Sequence, residues 1–119
     1  MAERLVTLNV NGVTIVRFKD KRIVDAGNIE QMGDEMLQLV NAQHLKQILL
    51  NFEGVEFLSS AAFNKLIELN KSVKDVGGVL RITGLRAEIL EAFKMLRLNK
   101  IFDIRKTEAD ALKAYGVTT

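Results

Sequence analysis

The sequence predicts a small mixed α/β fold, in which an N-terminal antiparallel hairpin is followed by parallel strands that helical crossovers connect. Two β-branched runs flank the dipeptide Asn11-Gly12, which favours a two-residue hairpin turn. Beyond the hairpin, about four segments with apolar residues at helical spacing alternate with short apolar strands. This alternation makes the later strands parallel and places helices against the sheet. With 119 residues and 48% hydrophobic content, we expect a single domain over residues 1–119.

The N-terminal half contains the hairpin, a first helix and a buried strand. The runs "RLVTLNV" and "VTIVRF" are the hairpin strands, and a short "IVD" follows the polar turn "KDKR". A helix is predicted from Gly27 to Asn41, because apolar residues recur there at helical spacing: Ile29, Met32, Met36, Leu37 and Val40. The segment Gln47 to Phe52, "QILLNF", is short and continuously apolar, as expected of an interior strand covered on both faces.

A second helix follows the stretch "GVEFLSSA" and ends at Gly77-Gly78, a pair typical of a left-handed helix C-terminus. Its predicted apolar stripe consists of Phe63, Leu66, Ile67 and Val73. The next strand is "VLRIT".

The remaining elements are a third helix, a short strand and a C-terminal helix. The third helix is "RAEILEAFKMLRL", with Met95 as its most exposed apolar residue and four residues facing inward: Ile89, Leu90, Phe93 and Leu96. A last short strand is predicted in "IFDI". Thr107 can cap the final helix, which docks on the body through Ala111, Leu112 and Tyr115.

Composition excludes several classes of function. The 17 Lys and Arg residues against 15 Asp and Glu give a formal net charge of +2, which favours neither nucleic acid nor an acidic membrane as a partner. Lys19, Lys21 and Arg22 cluster at one turn, but no set of stacking aromatic residues accompanies them. The absence of cysteine excludes disulfides, thiolate metal sites and thiol catalysis. No segment resembles a signal peptide or approaches the roughly 20 apolar residues of a membrane span, so we expect a soluble, cytoplasmic protein.

No metal or organic cofactor is predicted. The carboxylates Asp25, Glu30, Asp34 and Glu35 scatter over a helix and its approach, which is typical of a solvated face. Gly77-Gly78 precedes a strand instead of following one, so it does not form a phosphate-binding loop of the dinucleotide kind.

Two serines, Ser59 and Ser60, stand where an apolar strand-like segment meets the second helix. Either hydroxyl can accept a hydrogen bond from the unpaired amides of the first helical turn, and one of them can instead be a regulatory switch. Spacing alone does not assign the two roles. Phe57 and Leu58 are interpreted in two ways as well, as packing residues or as an apolar patch that faces a partner.

A serine hydrolase is the alternative from a different class. Its nucleophile needs a base within hydrogen-bond reach, and the single histidine, His44, precedes the strand "QILLNF" whereas the serines follow it. A strand of that length spans roughly 17 to 20 Å. "EFLSSAA" also lacks the glycines of a nucleophile elbow. The sequence therefore favours a non-enzymatic role.

The segments "GVEFLSSAAFNKLI", "GGVLRITGL" and "FKMLRLNKIFDI" together resemble the STAS domain of bacterial anti-sigma factor antagonists, over nearly the whole chain. The resemblance implies a STAS-like fold and a regulator of sigma-factor-dependent transcription. In that family the strand-to-helix turn reads Asp-Ser-Ser-Gly, and a serine of this motif is phosphorylated by a partner that is both anti-sigma factor and serine kinase. The dephosphorylated antagonist binds the anti-sigma factor, and the phosphorylated form releases it; a serine phosphatase resets the switch.

Matched to this motif, Ser59 is the expected phosphoacceptor and Ser60 the alternative. Leu58 then stands where the usual acid is found, and Ala61 where the usual glycine is. The residues expected to contact the partner are Phe57, Leu58, Ser59, Ser60, Ala61 and Asn64. A STAS scaffold without a usable phosphosite is the second interpretation, and homodimerisation is left open. The switch requires the hydroxyl of Ser59 to face water, where another macromolecule can reach it.

Overall fold

The computed structural model describes residues 4–117. Five strands form one mixed sheet in the order β1-β2-β4-β6-β7, and β3 and β5 form a separate two-stranded sheet. The elements in chain order are β1 (Leu5–Val10), β2 (Val13–Phe18), β3 (Arg22–Ile23), α1 (Ala26–Asn41), β4 (Gln47–Asn51), β5 (Phe57–Leu58), α2 (Ser60–Asp75), β6 (Val79–Thr83), α3 (Ala87–Met95), a short 3-10 helix (Leu98–Lys100), β7 (Asp103–Ile104) and α4 (Glu108–Ala114).

The predicted hairpin is confirmed. β1 and β2 are antiparallel with Val10 opposite Val13, and the two turn residues both have positive φ, 48° at Asn11 and 88° at Gly12. Asn9 Oδ1 accepts a hydrogen bond of 3.2 Å from the Gly12 amide, which holds the turn. Positive φ at both central positions matches the twist of the flanking strands.

The later strands are parallel, as predicted, and β4 lies between β2 and β6. Its residues Ile48 and Leu50 belong to the large core beneath α1 and α2, whereas Leu49 packs on the other face. This two-sided burial explains the continuous apolar run. The strand ends at Asn51, so Phe52 lies just outside it, fully buried and stacked on Phe18.

Helix α1 begins at Ala26, one residue before the predicted start, because Asp25 caps it by accepting the Asn28 amide at 3.0 Å. Leu37 is only half-buried; it lies to one side of the face that packs on the core. Of the four carboxylates predicted to be solvated, three are exposed, namely Asp25, Glu30 and Asp34, and Glu35 is half-buried. Glu35 accepts the backbone amide of Arg4 at 2.9 and 3.0 Å, and Glu30 pairs with Lys65 of α2 at 3.1 Å.

Helices α2 and α3 differ from the prediction at three apolar positions. Ile67 is exposed on α2, while Leu90 on α3 is half-buried. Helix α3 ends at Met95 because Arg97 takes the left-handed conformation with φ of 60°, and Leu96 consequently faces water instead of the core. The strong exposure of Met95 is confirmed.

Helix α4 covers the face of the sheet opposite α1 and α2. The Thr107 hydroxyl accepts the Asp110 amide at 3.1 Å, as predicted, and Ala111 and Leu112 are buried against residues of β2 and β4. Tyr115 also packs there; its hydroxyl donates to the carbonyl of Ile48. Between residues 4 and 117, no helix combines the length and the apolar character that crossing a membrane requires.

Candidate functional site

The serine turn is built by β3 and β5, which the sequence did not reveal as a sheet. β5 pairs in parallel with β3, so that Phe57 lies opposite Arg22 and Leu58 opposite Ile23. The Ile23 carbonyl then accepts the Ser59 amide at 3.1 Å. The strand-like segment before the serines is β5, and residues 52–59, which include it, separate the central strand β4 from α2.

Ser59 is the N-cap residue of α2. Its φ and ψ of −81° and 168° are extended, and its carbonyl accepts the amides of Ala62 and Phe63 at 3.0 and 3.2 Å. Its hydroxyl makes no capping hydrogen bond. The sequence left open which of the two serines is the cap, and the structure places Ser59 there without a capping hydrogen bond from its side chain.

The two hydroxyls have opposite environments. Ser59 Oγ is sealed from solvent and has no hydrogen-bond partner within residues 4–117. Ser60, the first residue of α2, is exposed. Ser59 therefore does not meet the accessibility that the switch requires, whereas Ser60, the alternative position, does.

The two residues before the serines, Phe57 and Leu58, also differ in exposure. Phe57 is 47% exposed, and the Arg22 guanidinium lies 5.4 Å from the centre of its ring. Leu58 is 8% exposed and belongs to the main core. Of the two interpretations, packing therefore fits Leu58, and an exposed apolar group fits Phe57.

On α2 the remaining predicted contact residues share one exposed side. Ser60 and Asn64 are one helical turn apart, and Ala61 beside them is exposed as well. Ile67 lies a turn beyond Asn64 and extends this side with an apolar group. Sequence reasoning missed Ile67 because it was assigned to the core stripe, although its spacing from Asn64 places both on the same side. We call Phe57, Ser60, Ala61, Asn64 and Ile67 the α2 surface.

The first turn of α2 contains no acidic residue. No carboxylate of that turn therefore partners the helix N-terminus beside the α2 surface. The positive end of the helix dipole is thus available to a negative group. Lys65 bonds Glu30 of α1, and this hydrogen bond is the main reason why its pKa lies above the ordinary 10.5. Lys65 is therefore held by α1.

The hydrolase arrangement is absent from the described part of the chain. His44 lies in the loop before β4, exposed and with φ of 57°, while both serines follow that strand. Among residues 4–117 there is also no group of three or more His, Asp or Glu side chains that could hold a metal ion.

The family follows from comparison with known proteins. A model of the STAS domain matches residues 4–111. The chain belongs to the STAS domain family. Its fold is similar to three solved structures that share 21% identity or less with it.

An anti-sigma factor antagonist from Mycobacterium paratuberculosis superposes with a TM-score of 0.80 at 19% identity, covering 92% of this chain and 91% of that one. An anti-sigma factor antagonist domain protein from Planctomyces limnophilus gives a TM-score of 0.77 at 21% identity, with 92% and 95% covered. The Bacillus cell fate determinant SpoIIAA, in its phosphorylated form, gives 0.72 at 16% identity, with 93% and 98% covered.

Proposed function

We propose that this STAS protein is an anti-sigma factor antagonist, which binds an anti-sigma factor with serine kinase activity and is released when Ser60 is phosphorylated. One observation carries the proposal: an exposed serine begins α2 within the partly apolar α2 surface of a STAS chain. The chain acts as one STAS domain over residues 1–119, in the cytoplasm, and regulates sigma-factor-dependent transcription without catalysing a reaction itself.

The burial of Leu58 supports Ser60 over Ser59 as the acceptor. A charged acid cannot occupy the position of Leu58 without being buried in the core, which carries a large desolvation cost. The Asp-Ser-Ser-Gly motif can instead be aligned one residue later in the chain. Its Asp then falls on Ser59, the N-cap, where Asp and Ser are both favoured. Ser60 then takes the acceptor position, and the fully buried Ala62 takes that of the glycine, where little space is available.

A phosphate on Ser60 would change the α2 surface without unfolding the protein. It adds about 1.5 to 2 negative charges at neutral pH, next to a helix dipole that favours an anion by roughly 0.3 to 1 kcal/mol. The partner's docking face meets a small hydroxyl in one state and a strongly hydrated dianion in the other. Desolvating the dianion costs free energy, so the phosphorylated form is released.

Phosphate transfer from ATP tests the proposal. Each anti-sigma factor kinase encoded in the source genome is purified and incubated with the chain and ATP, and the modified residue is mapped by mass spectrometry. In the proposed step, Ser60 Oγ attacks the γ-phosphorus, its bond to ADP breaks, and a base of the kinase takes the hydroxyl proton. We expect phosphate on Ser60, none on Ser60→Ala, and its removal by a serine phosphatase from the same genome.

Two other outcomes would assign other functions. A kinase that binds the chain but phosphorylates neither serine would indicate a STAS scaffold without a phosphosite. Hydrolysis of an ester by the purified chain, lost in Ser60→Ala, would indicate a hydrolase.

A further inference from the structure

A second exposed apolar surface lies where α3 ends. Met95, Leu96 and Ile101 are 82%, 55% and 45% exposed. Single exposed apolar residues are ordinary on a protein surface, but here three large ones lie within seven residues of one another, around the short 3-10 helix. We call Met95, Leu96, Arg97, Lys100 and Ile101 the α3 surface.

The α3 surface is cationic as well as apolar. The stretch from Lys94 to Lys106 contains five Lys and Arg residues and one acid, Asp103. Asp103 is already bonded to Arg81 at 2.9 Å and to Arg105 at 2.7 Å. Within residues 4–117, no ion pair engages Arg97 or Lys100, although both side chains are exposed. These two cations are therefore available to a carboxylate from another molecule.

Arg97 is also held in an unfavourable backbone conformation. Its φ and ψ of 60° and 21° are left-handed, and it follows the α3 C-cap Leu96, where glycine is the favoured residue. A side chain at such a position disfavours the folded state relative to glycine. Stability alone therefore does not explain an arginine at this position, whereas a role in binding does.

The α3 surface belongs to the same helical layer as the α2 surface. Phe93, two residues before Met95, packs edge-to-face on Phe63 in the first turns of α2, with 5.1 Å between ring centres. An interface of ordinary size covers about 800 Å² on each partner, enough to extend over two neighbouring helices.

We infer that the α3 surface is a second docking site for the same partner, and that it accepts an apolar ridge flanked by carboxylates. Met95, Leu96 and Ile101 contact the ridge, while Arg97 and Lys100 each meet a carboxylate. This inference rests on the proposed function for the identity of the partner. The chemistry expected of the partner's surface is independent of the proposed function, because it follows from the unpaired cations Arg97 and Lys100.

Arg97→Gly gives the most direct test, because it should raise stability by relieving backbone strain and lower affinity by removing a binding cation. We expect a melting temperature equal to or above that of the wild type, since glycine accepts the left-handed conformation, together with affinity for the anti-sigma factor kinase lowered at least about threefold. Lys100→Gln should weaken binding similarly. Both losses should shrink when the salt concentration rises from about 0.05 to 0.5 M. Lys113→Gln, which removes an exposed cation from α4 on the other face of the sheet, is the matched control and should bind as the wild type.

The outcomes separate this inference from the proposed function. If Arg97→Gly and Lys100→Gln bind the kinase like the wild type while Ser60→Asp loses affinity, the α3 surface is not a docking site and the proposed function stands. If no kinase binds the wild type, the proposed function fails and a synthetic probe decides the inference.

The probe is a helical peptide with leucine along one face and glutamate beside it, compared with the same peptide carrying lysine in place of glutamate. We expect the acidic peptide alone to shift the methyl resonances of Met95, Leu96 and Ile101 in NMR spectra. Equal shifts with both peptides, or none with either, would overturn the inference. Binding to phosphatidylglycerol vesicles that Arg97→Gly abolishes, without a response to the acidic peptide, would overturn it in favour of a membrane.

Discussion

At the scale of single residues, the two serines differ in what their hydroxyls contact. Ser59 occupies the N-cap of α2 with its oxygen sealed and unpaired, while Thr107 occupies the N-cap of α4 and accepts an amide. A buried hydroxyl without a partner costs about 1 to 3 kcal/mol of desolvation free energy. The usual stabilisation by a capping serine is therefore missing at Ser59.

Replacing each cap residue with alanine measures this difference. Ser59→Ala should leave the free energy of unfolding within about 0.5 kcal/mol of the wild type or raise it, because no hydrogen bond is lost. Thr107→Ala should lower it by about 1 kcal/mol, because the Asp110 amide loses its acceptor. Urea denaturation of both variants checks this. A loss at Ser59 as large as that at Thr107 would show that the Ser59 hydroxyl caps the helix in solution.

The sequence could locate the serine turn but not the direction of either hydroxyl. A serine before an amphipathic helix marks the N-cap, since that preference is local. Whether the side chain then turns toward the amides, the core or water depends on β3 and the core residues packed around it. Those contacts are distant in sequence, as the hydrogen bond from Ser59 to Ile23 illustrates.

At the scale of elements, segments with a clear local pattern were predicted well, and β7 lies within the predicted short strand "IFDI". The hairpin, β4, α2 and β6 follow directly from local patterns. The strands β3 and β5 contain two residues each, too few to show a period, and they form only because they pair with each other. The end of α3 was missed because a left-handed Arg97 has no signal comparable to glycine.

Glycine positions test how tightly the elements around β4 and β6 are packed. Gly84 follows β6 with φ of 77°, and a methyl group there would lie 2.5 Å from Asn51 Oδ1 and 2.7 Å from the Glu53 nitrogen. Asn51 accepts the Glu53 amide at 2.9 Å, so this contact cannot relax freely. Gly54 has φ of 89°, and a methyl group there would have no atom within 4 Å.

Gly84→Ala should therefore lower the free energy of unfolding by about 3 kcal/mol, from backbone strain and overpacking together. Gly54→Ala carries the strain alone and should cost about 1 kcal/mol. Chemical denaturation compares the two variants. Equal losses would mean that the turn after β6 is looser in solution than in this structure.

At the scale of the whole molecule, α4 closes the second face of the sheet through Tyr115. The tyrosine hydroxyl donates to the Ile48 carbonyl of β4, and the Arg81 guanidinium lies 4.2 Å from the centre of its ring. Burial raises the pKa of Tyr115 from 10.0 to about 12. The apolar residues of the final helix, Ala111, Leu112 and Tyr115, predicted this docking, while the hydrogen bond required the three-dimensional structure.

Stability should consequently depend on Tyr115 at alkaline pH. The folded state holds its proton more tightly than the unfolded chain, so the contribution is complete below pH 10 and is lost as pH rises from about 10 to about 12. Tyr115→Phe should cost about 1 kcal/mol at pH 8 and lose less stability than the wild type between pH 8 and pH 11. Urea unfolding at both pH values measures this. Parallel losses in the two proteins would mean that Tyr115 is exposed in solution.

The proposed switch of partner binding depends on Ser60. Its most direct test is the affinity of the anti-sigma factor kinase for Ser60→Asp, Ser60→Ala and Ser59→Ala, measured by isothermal titration calorimetry. We expect Ser60→Asp to bind at least about tenfold more weakly, a loss of about 1.4 kcal/mol, with both alanine variants close to the wild type. Unchanged affinity of Ser60→Asp beside a large loss in Ser59→Ala would contradict the account.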